Sequence, residues 1–369
     1  MHAVAVFPAD KRIEVIDDHP EPKLERDTEV LVDMLEIGVC GTDREIARFE
    51  YGMPPEGQRH LVLGHESLGR VARTGSAVTR VKPGDLVVTM VRRPCPHETC
   101  RACRAGRSDF CFTGDFKERG IKQLHGFMTE RVVDDQQYMH VVPASLRAVG
   151  VLVEPLTIAE KALIEVWDVQ ERLPWTAAGS GDGRGQHAVV LGAGPVGLLG
   201  ALALLLRGFE VWVYSRGAGD SDGAKWVTSA GARYLSSQQF TAAQIAEQIG
   251  NIDLVYEATG AAKVSFQMLE VLGTNGVFVF TGVPGRRGPS ECEEDLLMRN
   301  MVLKNQLVFG TVNAGPDAFA NAVEDLASFH TRWPEQLGSL ITGRHELPAA
   351  IELLTGPPHG LKNVVSFDR

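Results

Sequence analysis

The sequence predicts an α/β protein made of a β-rich part and a doubly wound parallel sheet. Three observations carry this. Residues up to about Val142 read as short β-rich runs separated by turn residues and prolines. From His187 onward, apolar strand runs without polar alternation are joined by helical stretches, the pattern of a parallel sheet covered on both faces. Between the two lies Trp175 to Gln186, which reads Thr-Ala-Ala-Gly-Ser-Gly-Asp-Gly-Arg-Gly inside its ends and has no packing face, so it marks a boundary or a loop beside one.

In chain order, the β-rich part comprises Ala3 to Phe7, Glu29 to Ile37, Leu68 to Arg73, Asp85 to Val91 and Met128 to Val133. A partly barrel-like domain is the natural arrangement for such runs. The second part begins with the strand His187 to Leu191 and the helix Pro195 to Arg207, followed by the strand Glu210 to Tyr214. Then come the helix Thr241 to Gly250, the strand Ile252 to Tyr256, the helix Lys263 to Leu272 and the strand Val277 to Thr281, with a further strand at Leu307 to Thr311. The tail from about Gly315 returns to a helix, Asp317 to Phe329, and is expected to fold back on the first part. The expected division is therefore 1–186 with 315–369, and 187–314.

The bulk numbers fit this division. A chain of 369 residues can bury two cores. A formal charge of -10 argues against a nucleic-acid or anionic-membrane partner, since both require a basic face. No apolar run approaches the ~20 residues of a membrane span, and Met1 to Pro8 lacks the regions of a signal peptide. A cytoplasmic protein is expected. Of the 6 cysteines, Cys95, Cys100, Cys103 and Cys111 share one short stretch, whereas Cys40 and Cys292 stand alone. In a large cytosolic chain a tight cysteine cluster reads as metal binding rather than as a disulfide framework.

Gly192-Ala193-Gly194-Pro195-Val196-Gly197 follows a strand and opens a helix, the setting in which a G-x-G-x-x-G run binds a dinucleotide. The first glycine permits the turn, the second admits the pyrophosphate, and the third lets helix and strand approach. The helix N-terminus offers free N–H groups to the phosphates. The second strand ends Tyr214-Ser215-Arg216, with no carboxylate to accept from a ribose 2′-hydroxyl. Ser215 and Arg216 are suited instead to a 2′-phosphate, so NADP is favoured and NAD tolerated. The competing reading of Arg216 is a solvated loop charge. Thr259-Gly260 and Gly282 fall at C-terminal strand ends, where ligands of such sheets bind.

Two metal constellations stand out. Cys40-Gly41-Thr42-Asp43, Gly64-His65-Glu66 and Glu154-Pro155 together offer thiolate, imidazole and carboxylate, which suit a catalytic Zn²⁺ with an exchangeable position, whereas taken singly a lone Cys reads as a small buried hydrophobe and His-Glu as a surface pair. Cys100, Cys103 and Cys111 place three thiolates on one loop, as in a closed structural zinc site. For its fourth ligand Cys95 is preferred as the softer donor, and His97 is the alternative. Asp43 is placed either to orient His65 or to cap a turn.

Gly64-His65-Glu66-Ser67-Leu68-Gly69, then Val71, Gly75, Val78 and Gly84-Asp85-Leu86-Val87, resembles the zinc signature of the medium-chain alcohol dehydrogenases. The order of motifs is also theirs, and the resemblance spans essentially the whole chain. It implies a GroES-like catalytic domain, a Rossmann domain and an active site in the cleft between them. Cys40 to Ile46, Val91-Arg92-Arg93-Pro94, Gly114 to Ile121, Leu124 to Met128, Val151 to Leu156 and the strand end Tyr214-Ser215-Arg216 resemble the archaeal-type glucose dehydrogenases, which accept NADP, more narrowly. That resemblance implies Cys40, His65 and Glu154 as ligands of the catalytic zinc, with Glu66 binding it directly or through water. It implies Glu118 and Asn313 as contacts of the sugar hydroxyls and Thr42 as the hydroxyl beside the zinc-bound oxygen. Two features depart from the branch: the first structural cysteine is displaced, and Val91 stands where some relatives carry a sugar-binding Asn.

The implied reaction is oxidation of an aldose at C1, with hydride passing to the nicotinamide near Gly282 and Asn313 and an aldonolactone as product. Thr42 or water passes the proton outward, and Glu66 or Glu154 accepts it. A homo-oligomer, dimer or tetramer, is implied in the same way. The competing readings are a polyol, threonine or simple alcohol dehydrogenase on the same scaffold, and a non-catalytic nucleotide-binding protein.

Overall fold

The structure, a computed structural model, describes residues 1–175, 181–285, 288 and 291–367. The chain divides into two compact units, Met1–Thr157 with Asn313–Arg369, and Ile158–Val312. Part of the Gly-rich stretch read as a boundary, residues 176–180, lies outside the described residues.

The first unit is built on a seven-stranded sheet. Glu29–Gly38, its longest strand, pairs antiparallel with Glu66–Thr74 along one edge. Along the other edge it pairs with Arg131–Asp135 and with the C-terminal strand Lys362–Ser366. The fold-back of the tail is thus made by backbone pairing: Lys362–Ser366 joins the N-terminal sheet and carries Ile341–Glu346 beside it. Two register shifts in the pairing of Glu29–Gly38 with Glu66–Thr74 bend the sheet. Val4, Val30, Val32, Ile37, Leu61, Leu63, Phe127, Met128 and Val365 fill its interior, all at most 1% exposed. A three-stranded sheet of Arg92–Arg93, Lys117–Arg119 and Gln123–Leu124 stands apart from the main one.

The second unit holds six parallel strands in the order Arg233–Ser236, Glu210–Ser215, His187–Leu191, Leu254–Glu257, Val277–Phe280, Leu307–Gly310. The order reverses beside His187–Leu191, the doubly wound arrangement with its ligand crevice at the strands' C-terminal ends. Five of the six strands match the sequence expectation closely. The sixth, Arg233–Ser236, was not anticipated, nor was the helix Asp222–Ser229 before it. The strand is four residues long and opens on an exposed arginine, so it carries little apolar signal.

The division inside the chain also differs from the expected one. The helix Val153–Gln170 begins in the first unit, but its residues from Ile158 belong with the second. Ala159, Ala162, Leu163 and Val166 on this helix lie against Gly200, Leu204, Leu254, Tyr256 and Val279 of the parallel-sheet layer. That apolar face draws the helix into the second unit, ahead of the Gly-rich stretch that marks the boundary in the sequence.

Candidate active site

Cys40 ends the extended segment after Glu29–Gly38 and is the N-cap of the short helix Gly41–Ala47. His65 and Glu66 sit where Glu66–Thr74 begins, and Glu66 is the register partner of Gly38. Adjacent strands therefore deliver both motifs to one end of the sheet. Ligand atoms of Cys40, His65 and Glu66 all lie within 4.8 Å of one another. A Cβ on Gly38 would come within 2.0 Å of Glu66 Oε2, so only glycine leaves room for that carboxylate.

Asp43 caps the turn and lies close to His65 without hydrogen-bonding it. Its Oδ2 accepts from the Cys40 backbone N at 2.9 Å, which holds the cap. Its Oδ1 lies 3.2 Å from His65 Nδ1. The alignment falls short of a hydrogen bond, and both atoms are buried without a hydrogen-bond partner among the described residues. Charge needs no alignment, however. Burial opposes the His65 imidazolium, yet the Asp43 carboxylate and Cys40 outweigh it and hold His65 well above its ordinary value. A proton kept on Nδ1 by Asp43 leaves Nε2 as the lone pair for a metal.

Glu154, in the first turn of the helix Val153–Gln170, is not among the three mutually close donors. It feels the same centre: burial, with help from the Glu66 and Asp43 charges, pushes its carboxyl up to about 7, against the pull of His65 and Lys362. Thr42 lies half-buried on the helix that Cys40 caps.

Lys362 was missed in the sequence. It is 3% exposed, and its Nζ donates to both Glu66 oxygens at 2.7 and 2.6 Å and to the Val39 carbonyl at 3.3 Å. Burial lowers its affinity for a proton, but Glu66, Cys40 and Glu154 raise it further, so the ammonium persists. A lysine at the head of the apolar run Val364-Val365 was the available signal, and an ordinary strand end carries the same one.

Cys95, Cys100, Cys103 and Cys111 form the second cluster, again with all ligand atoms within 4.8 Å of one another. Cys95 N donates to Cys103 Sγ at 3.4 Å, which folds the displaced cysteine into the group. His97 points elsewhere: its Nε2 lies 2.8 Å from Asp115 Oδ2. Four thiols without an open position fit a structural zinc.

Glu118 is a buried carboxylate. It is 5% exposed, and its Oε1 accepts from Arg92 Nε at 3.0 Å and from Asn313 Nδ2 at 2.9 Å. The two residues assigned to sugar contact, 195 positions apart, are thus hydrogen-bonded to each other.

In the second unit, Gly192 has φ 104°, and a Cβ there would meet Thr259 Cγ2 at 2.6 Å. A Cβ on Gly197 would lie 2.2 Å from the Gly192 carbonyl, while one on Gly194, the N-cap, meets nothing within 4 Å. Two glycines therefore serve the backbone, and the third leaves open space at the helix N-terminus, as a pyrophosphate requires. Pro195 is the first residue of that helix, and Val196 follows it. Ser215 ends its strand half-buried, and Arg216 is exposed beyond it. Glu257, also missed, ties the neighbouring strand ends together. Fully buried, it accepts from Thr259 N at 2.7 Å, Thr259 Oγ1 at 2.6 Å, Gly260 N at 2.9 Å and Gly282 N at 3.1 Å.

Known proteins match this arrangement along its length. The alcohol dehydrogenase GroES-like domain matches residues 26–144, and the glucose dehydrogenase C-terminus matches residues 147–367. Glucose 1-dehydrogenase of Methanocella arvoryzae is 39% identical over 370 residues, covering 100% of this chain and 99% of the relative. That of Thermoproteus tenax is 40% identical over 328 residues, 88% of each chain. Haloferax mediterranei glucose dehydrogenase, solved in complex with NADP, Zn and gluconolactone, superposes with a TM-score of 0.88 at 31% identity, covering 100% of both chains. A β-rich GroES-like unit and a Rossmann sheet in one chain, with a thiolate–imidazole–carboxylate centre, define the zinc-containing medium-chain alcohol dehydrogenases. Within them, the chain belongs to the glucose dehydrogenase family.

Proposed function

We propose that this chain is a glucose (aldose) 1-dehydrogenase, oxidising D-glucose at C1 to D-glucono-1,5-lactone with NADP, or more weakly NAD, as acceptor. The observation that carries the reading is the meeting of Cys40, His65 and Glu66 donors in one place, on a chain collinear with glucose 1-dehydrogenases. Zinc bound there supplies Lewis-acid polarisation of the substrate hydroxyl. Cys40 and His65 hold it, joined by Glu154 or Glu66, while Asp43 orients the imidazole. Thr42, two residues after Cys40, or water passes the hydroxyl proton outward, with Glu66 or Glu154 as its acceptor. Glu118 and Asn313 take sugar hydroxyls. Gly192, Gly194 and Gly197 cradle the pyrophosphate, with Ser215 and Arg216 toward the 2′-phosphate. The nicotinamide supplies the hydride acceptor. Cys95, Cys100, Cys103 and Cys111 hold a structural zinc.

The substrate is a free sugar in solution, and the protein is cytoplasmic. Among the described residues no helix is long and apolar enough to cross a membrane. A homo-oligomer is favoured by the second unit itself. Among the described residues its outer strand Leu307–Gly310 is unpaired on one edge, and Met298, Val302, Leu303 and Val312 nearby in sequence are each more than half exposed. Size-exclusion chromatography with light scattering tests it.

The deciding assay follows NADPH formation by zinc-supplemented protein with glucose, galactose, xylose, sorbitol, threonine and ethanol. Aldose oxidation is the expected result. Turnover of open-chain alcohols alone assigns the chain to another dehydrogenase, and no turnover at all to a nucleotide-binding protein.

A further inference from the structure

Arg92 is a buried charged group of the β-rich unit that the proposed chemistry does not yet use. It is 6% exposed, and an arginine buried to that degree requires several partners. It has them on three sides. Nε and Nη2 both reach Glu118 Oε1, at 3.0 and 2.9 Å. Nη1 donates to the Asp109 carbonyl at 3.1 Å, within the loop that carries the four cysteines. The guanidinium lies over the Phe116 ring, 3.8 Å from its centroid. Antiparallel pairing sets Arg92 directly opposite Glu118, so the ion pair is built into the register.

Glu118 is consequently held asymmetrically. Oε1 carries both Arg92 nitrogens and the Asn313 amide. Oε2 accepts no hydrogen bond from the described residues, yet it is not one of the side-chain oxygens sealed from solvent without a partner. One oxygen is saturated and the other is open.

We propose that Arg92 is a positioning residue for sugar recognition: with Asn313 it locks Glu118 Oε1 and so presents Oε2 as the acceptor for one substrate hydroxyl. This rests on the aldose dehydrogenase reading above. A carboxylate whose rotation is arrested by a charged fork on one oxygen keeps its other lone pairs in a fixed place, which lets a site reject sugars lacking the matching hydroxyl. Arginine rather than lysine suits the post. Its planar fork spans Glu118 and the Asp109 carbonyl together and stacks flat on Phe116, and a lysine cannot do all three.

The test compares wild-type holoenzyme with Arg92→Met, Arg92→Lys and Glu118→Gln, using glucose and its 2-deoxy, 3-deoxy and 6-deoxy analogues. Arg92→Met should raise KM for glucose at least about tenfold while the KM for NADP changes by less than about twofold. That penalty should collapse on one deoxy sugar only, the same one on which the Glu118→Gln penalty collapses. Arg92→Lys should recover part of the loss. A penalty of equal size on every sugar means a general packing defect and overturns the proposal, as does an unchanged KM for glucose. If Arg92→Met fails to fold, the same comparison is read from Arg92→Lys, matched to wild type by thermal melt. Wild-type protein that oxidises no aldose overturns the functional reading itself, an outcome distinct from uniform penalties in an active enzyme.

Discussion

Glu66 and Lys362 stand 296 residues apart in the chain, and both Glu66 oxygens lie within 2.7 Å of the Lys362 ammonium. The N-terminal motif beside His65 is thereby joined to the last strand of the fold. Breaking a buried pair by removing one partner strands the other charge. Lys362→Met should lower the stability of the zinc-loaded protein by about 3 to 5 kcal/mol, read from urea unfolding. Lys362→Arg should lose much less. A Lys362→Met protein as stable as wild type would show that Glu66 does not depend on this cation.

Cys40→Ala removes a donor from one metal cluster and leaves the four-cysteine cluster intact. Zinc content per chain should fall by about half, because only one of two sites is lost. Activity should fall by more than the roughly 10–100-fold that loss of an outer-shell partner costs. Elemental analysis alongside the assay checks both, and full zinc content with lost activity would detach Cys40 from metal binding.

Gly194 is the one fingerprint glycine at which a side chain meets nothing in the protein. Gly194→Val should therefore fold and melt like wild type without cofactor. It should weaken NADP binding at least about tenfold, about 1.4 kcal/mol, because the valine fills the phosphate's space. Calorimetric titration measures this. Gly197→Val, placed against the Gly192 carbonyl, should destabilise the free protein as well.

Arg216 is exposed, and the role proposed for it depends on the 2′-phosphate alone. Arg216→Ala should raise KM for NADP about tenfold and leave KM for NAD nearly unchanged. Equal effects on the two cofactors would make it a surface charge.

Asp134 is buried between Arg93 and Arg119. Burial raises its carboxyl pKa, but the two guanidinium groups overcome this and hold it below its ordinary value. The sign follows from linkage. A depressed carboxyl contributes stability that is fully present above the unfolded-state value of about 3.9. That contribution is lost as pH falls through the lower folded-state value. Asp134→Asn should lower the urea midpoint at pH 7, and the gap to wild type should narrow as pH falls below about 4. A gap constant with pH would remove Asp134 from the acid response.

Local spacing made several features legible. Gly192, Gly194 and Gly197 announce their turn because the demands of a strand–turn–helix junction fall on adjacent residues. The four cysteines lie within 17 positions of one another, so their clustering could be read as well. The strand His187–Leu191 matched residue for residue, because after its half-buried opening histidine it is apolar and buried, as a parallel strand covered on both faces must be. The short strand Arg233–Ser236 escaped, since its place depends on the neighbour Glu210–Ser215 rather than on its own residues.

By itself, then, the sequence determined the two kinds of layer, the dinucleotide turn and the residues able to hold metal, all properties of contiguous chain. Tertiary structure alone decided that Cys95 rather than His97 joins the cysteine cluster, that Lys362 faces Glu66, and that Arg92 and Asn313 share one oxygen of Glu118. These are pairings between distant segments. They arise from strand register and burial, which force each charge to find a partner that no local pattern names.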